Sequence, residues 1–174
     1  MAAGQTYTPI ATQTLSSATA GITFSSISSS YTDLVLIMSS ASSDGASSPV
    51  LQFNGNNTGT AYSFTEVYGT GTTSTSTRGS ARSNLPFGWY VAPSTTLGSS
   101  THIVNFMNYS NTTTYKTILA RENNVGGTYP GAGEIVGLWQ NTNAISSIYI
   151  YLLGTGTPTF SAGSIFTLYG IAAA

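Results

Sequence analysis

Cysteine is absent from this chain, so neither disulfides nor thiolate chemistry are available to it. Charge is scarce as well. Lys, Arg, Asp and Glu make up 5% of the residues, against about 25% in an average globular domain, and the net charge is −1. The basic residues are Arg78, Arg82, Lys116 and Arg121, too few to neutralise a run of phosphates, which argues against a nucleic-acid partner. With few ion pairs to screen, folding is expected to depend little on salt. Long apolar runs are missing too. The longest, residues 34–38 and 149–153, fall far short of the ~20 a membrane helix needs. The first residues carry neither a basic nor an apolar targeting segment, so the expectation is assembly in a cytosol, with no membrane partner and exit by a route such as cell lysis.

What remains is a chain of 174 residues built from uncharged polar and apolar side chains. Ser and Thr supply roughly a third of it, with 19 Gly beside them, and β-branching, backbone-competing hydroxyls and turn glycines all favour strands over helices. Aromatics at 11%, including 11 Tyr and 7 Phe, give it enough to bury to offset the entropy of ordering. The length fits one domain, residues 1–174.

Alternation of apolar side chains marks the strands. Residues 6–15 suit an edge strand or an arm lying on a neighbour, because Pro9 cannot donate to a ladder. Residues 22–27, 31–40, 50–54 and 61–68 follow, the last placing Tyr62, Phe64, Glu66 and Tyr68 on one face. Residues 69–83, a Gly/Thr/Ser tract with almost nothing to bury, read as a long exposed loop carrying Arg78 and Arg82 toward a partner. An aromatic strand over 87–91 and strands over 102–109 and 115–121 come next. Residues 122–133, with four glycines and a proline, read as a second long connection. Residues 134–140, 144–153 and 165–171 complete the set. The last two, apolar on both faces, are expected to pair with each other in the middle of a covered layer. About nine or ten short antiparallel strands with no sustained helical period predict an all-β, jelly-roll-like sandwich.

Few residues point to chemistry. His102 heads an apolar strand and acts as a base only if a carboxylate or nucleophile reaches it in space. Asp33, Asp44, Glu66, Glu122 and Glu134 are read as solvated turn or strand-end residues, since nothing in their spacing forms the ~5–10 Å carboxylate pair of a glycosidase. One His and no Cys give no metal-ligand set. The glycine pairs at 69–71 and 154–156 read as turns, because no helix follows to cradle a phosphate. Asn56, Asn108 and Asn111 begin Asn-x-Ser/Thr triplets, which matter only in a secretory pathway. The expectation is therefore a protein without catalytic, cofactor or metal residues. One alternative rests on the aromatics Tyr62, Tyr68, Trp89, Tyr90, Tyr109, Tyr129 and Trp139, which form either core and interface or a sugar-binding platform.

Several segments, in order, carry a resemblance: Tyr-Thr-Asp-Leu-Val-Leu at 31–36, Leu-Gln-Phe-Asn-Gly at 51–55, Asn-Tyr-Ser-Asn-Thr-Thr at 108–113 with Lys116, residues 139–148, and 163–171 ending Phe-Thr-Leu-Tyr-Gly-Ile. The chain resembles the small all-β virion proteins of tailed bacteriophages, especially those of cyanobacterial phages. The resemblance implies a homotrimer that decorates and cements the capsid by binding the major capsid protein lattice, located on the virion surface after assembly in the host cytoplasm. The alternative it implies is a head- or tail-fibre tip that recognises host surface glycans. It brings no catalytic residues.

Overall fold

The computed structural model describes residues 6–93, 99–126 and 130–172. Among these there is no helix, and the strands form two antiparallel sheets packed as a sandwich. The larger sheet has eight strands. In spatial order these are β1 (Tyr7–Thr14), β12 (Ile165–Ile171), β3 (Asp33–Ser40), β8 (Ser100–Met107), β9 (Lys116–Asn124), β10 (Gly131–Trp139), β5 (Tyr62–Gly69) and β6 (Ser74–Arg82). The smaller sheet is β2 (Gly21–Phe24), β11 (Ile148–Leu153), β4 (Ser48–Phe53) and β7 (Leu85–Pro86). The chain passes between layers repeatedly, as jelly rolls do.

Alternation decides which side chains are buried. On β12, Phe166, Leu168 and Gly170 face the second sheet, while Ile165 and Tyr169 face away and stay partly exposed. Leu34, Leu36 and Met38 of β3 and Val104 and Phe106 of β8 continue that inner face. Ile148, Ile150 and Leu152 of β11 meet it from the other layer. At one end Trp139, Phe53 and Tyr62 pack ring to ring, with Phe53 and Trp139 centroids 5.3 Å apart. The Tyr62 hydroxyl, pushed up to about 12 by burial, accepts from Phe53 N–H and donates to Asn56 carbonyl. The turn beyond it is pinned by Asn54, whose left-handed φ of 52° lets Oδ1 accept from the Ser146 and Ser147 amides.

Several expectations are corrected. The described residues form twelve strands rather than nine or ten. Residues 74–82 are not loop but β6, an edge strand hydrogen-bonded to β5. It lies beyond the reach of the four-stranded sheet, so both its faces are wet and it needs nothing apolar. Residues 122–124 extend β9 and residues 131–133 begin β10, leaving only 125–130 between them. β12 pairs with β1 and β3, whereas β11 lies in the opposite sheet, because the 154–164 connection crosses between layers. The aromatic strand expected over 87–91 does not form: the short β7 ends before it, at Pro86, and the Phe87 and Val91 amides bond the Pro49 and Ser47 carbonyls while Gly88 lies against His102 and Glu122 of the large sheet. Residues 7–14 form the edge strand expected of them.

Candidate binding site

Register on the large sheet's inner face builds this site. Met38, His102, Glu122, Gly133 and Tyr68 are consecutive cross-strand neighbours on β3, β8, β9, β10 and β5. One row further in, Leu36, Val104, Ala120, Ile135 and Glu66 repeat the path. The sheet's apolar face thus turns polar at His102, Glu122 and Glu66, each no more than 6% exposed. The carboxylates of β5 and β9 were expected in solvent. Both face inward instead.

The 87–89 segment closes over this cluster. Gly88 is required there: a Cβ would sit 2.3 Å from His102 Nε2 and 2.8 Å from Glu122 Oε2. Both Glu122 oxygens accept the Trp89 backbone N–H at 2.7 Å, and Oε2 lies 3.3 Å from His102 Nε2. Phe87 meets the His102 imidazole edge-on, with centroids 5.6 Å apart. Glu122 is therefore committed to holding the Trp89 backbone. The Trp89 ring, half-buried, stacks on Tyr68 with centroids 5.1 Å apart and planes 15° from parallel.

Beside Trp89 runs a groove of about 250 Å³ between the β4–β7 edge and the β5–β6 overhang, lined among others by Ser48, Glu66, Thr77, Arg82 and Asn84. Two of its polar groups lack partners. Glu66 Oε1 and Asn84 Oδ1 are buried without a hydrogen bond, although their residues are 4% and 7% exposed. Burial, with the Glu122 carboxylate second, pushes the Glu66 carboxyl up to about 7. Near neutral pH Glu66 thus exists both as an acceptor-only carboxylate and as an acid that donates.

The remaining candidates fall elsewhere. Asp33 accepts from the Asn108 amide, Asp44 caps its turn by accepting from Ser47 and Ala46, and Glu134 pairs with Arg121 at 3.0 Å on the exposed face. Among the aromatics, Tyr62, Tyr109 and Trp139 are core residues and cannot form a surface platform. Tyr109 donates its hydroxyl to the Ser28 carbonyl. Trp89, which lines the groove, and Tyr90 are partly exposed, and Tyr129 lies outside the described residues. Lys116 is buried, its Nζ donating to the Thr114 and Thr142 carbonyls, and burial lowers its pKa. Among the described residues no group of three or more His, Asp or Glu is placed to hold a metal. His102 and Glu122 were findable as a pair, because β8 and β9 are consecutive and their partners mirror one another about the turn near residue 112.

No protein-family model matches this chain, and no curated protein sequence matches it.

Proposed function

We propose that this chain is a structural protein of a tailed-bacteriophage virion that decorates the head and cements the major capsid protein lattice. The observation that supports this reading is the outer face of the eight-stranded sheet, which no described segment of the chain covers. Ile37 and Ile103 are direct cross-strand neighbours there, each 38% exposed, and Met107, Val67, Val136 and Ile165 add further exposed apolar side chains. Among the described residues this outer face carries one close ion pair, Arg121 with Glu134, so little charge is stripped of water when the face is covered.

Cementing of this kind is additive burial. Apolar area removed from water contributes about 25 cal/mol per Å² before ordering costs, and the gain repeats at every copy on the shell. Particles stripped of the protein are expected to release DNA at a lower temperature than decorated ones. Adding back Ile37→Asp/Ile103→Asp protein, which places two charges on a wet face, is expected to leave particles undecorated while the protein itself stays folded. Equal release temperatures with and without bound protein overturn the reading.

A second reading, a fibre-tip domain that recognises host surface glycans, is favoured by one specific feature. Trp89 stands half-exposed beside a groove that contains unpartnered buried acceptors.

A further inference from the structure

We infer that the Trp89 groove is a binding site for one neutral sugar ring, recognised through its hydroxyls by Glu66 and Asn84 and through its C–H face by Trp89. The inference rests on the second reading above for the setting, but its ligand class follows from the groove itself.

Two buried acceptors without donors are costly, since each forfeits hydrogen bonds it would make in water. Glu66 Oε1 and Asn84 Oδ1 are both in this position, and both residues line the same groove. The Asn84 amide also bonds Tyr151, which fixes the side chain. Whatever fills the groove must therefore bring donors. A cation would bring charge into a groove that Arg82 already lines, and an anion would meet Glu66 with Glu122 close behind it. A neutral polyhydroxylated ligand escapes both penalties. Its hydroxyls donate to the two acceptors, and its own oxygens accept from the Arg82 guanidinium.

The aromatic wall is prepared for that ligand. Trp89 is held at its backbone by both Glu122 oxygens and at its ring by Tyr68, so the indole is ordered before anything binds. A pyranose presents an apolar C–H face that packs on such a ring while its edge hydroxyls reach polar groups. The volume of about 250 Å³ lies below the roughly 300 Å³ at which drug-sized pockets begin, which suits one ring rather than an oligosaccharide. Glu122 acts here as a positioning residue, because it reaches the ligand only through Trp89.

The test titrates the protein with D-glucose, D-galactose, D-mannose, L-rhamnose and N-acetylglucosamine, with glucuronate, glucosamine and Ca²⁺ as charged counterparts. Binding is read by saturation-transfer NMR and by Trp fluorescence; of the two tryptophans the other, Trp139, is buried in the core. At least one neutral sugar is expected to bind saturably with Kd of about 1 mM. Trp89→Ala is expected to abolish binding, Trp89→Phe to retain part of it, and Asn84→Ala to weaken it about fivefold, with melting curves establishing that each variant is folded. No saturable binding up to about a hundredfold above that Kd, or tighter binding of a charged probe than of every neutral sugar, overturns the inference. Retention on host envelope polysaccharide that survives Trp89→Ala also overturns it, while leaving the fibre-tip reading in place.

Discussion

Replacing Glu66 with Gln keeps the shape of the side chain and removes its titration, so the consequences can be worked out in advance. The folded protein holds the Glu66 proton up to about pH 7, whereas the unfolded chain releases it near 4.5. Between these values the folded state binds more protons than the unfolded state, and the free energy of unfolding therefore falls as pH rises. At about 1.4 kcal/mol per pH unit, the loss is about 3 kcal/mol, absent below 4.5 and complete above about 7. For a chain of this length that corresponds to about 6–12 °C in Tm. Tyr68 on the same strand, Glu122 two strands away on β9, His102 beside Glu122, and Arg82 across the groove face the same space, but they are common to both proteins and largely cancel in the difference. The assay is urea unfolding of wild type and Glu66→Gln from about pH 4 to about pH 8. Wild type is expected to lose about 3 kcal/mol relative to the variant as pH rises. Parallel stability curves would show that Glu66 is solvated, and the argument from its burial would fail.

Two further substitutions probe the support of the site and the core. Gly88→Ala places a methyl 2.3 Å from His102 Nε2, within a cluster that has no room to move aside, and is expected to cost about 1–3 kcal/mol and to shift Trp89 emission. An unchanged Tm and spectrum would mean the 87–89 segment does not lie against His102. Trp139→Ala removes a ring packed between Phe53 and Tyr62 and is expected to cost about 3–5 kcal/mol in chemical denaturation. A cost below about 1 kcal/mol would return Trp139 to the surface, where a sugar platform would need it.

The strands of the core were legible because their side chains alternate. β3, β10 and β12 place an apolar residue or glycine inward at every second position, apart from Ser40 at the end of β3, and their expected and observed spans differ by three residues at most at either end. The exceptions have one cause in common. β6 is Ser, Thr, Gly, Ala and Arg throughout, and apolar content carries no information about a strand that neither sheet face covers. What makes it a strand is the unpaired edge of β5, a property of the assembled sheet. The pairing of β12 with β3 rather than with β11 was equally hidden, since sequence proximity favours a hairpin and only the packing of two layers favours the crossover.

The site was missed for a related reason. Alternation assigned Glu66 to the same face as Tyr62 and Tyr68, and that was correct, but the charge of its side chain suggested that this face was wet. On β9 the glycines and proline of residues 122–133 ended the expected strand at Arg121, although Glu122 and Asn124 continue the inward alternation of Ile118 and Ala120. Treating alternation as the stronger signal would have buried both glutamates. It would then have required partners for them, and the mirror pairing of β8 with β9 names His102 for one. The partner of the other is not supplied by the described chain. Glu122 is satisfied by a backbone amide that Gly88 allows to come close, while Glu66 Oε1 and Asn84 Oδ1 remain open beside an ordered tryptophan. Buried polar atoms without a partner also occur among the described residues at Ser40, His102 and Trp139, but Glu66 and Asn84 are the pair that line one groove, and a ligand with hydroxyl donors there would meet both at once.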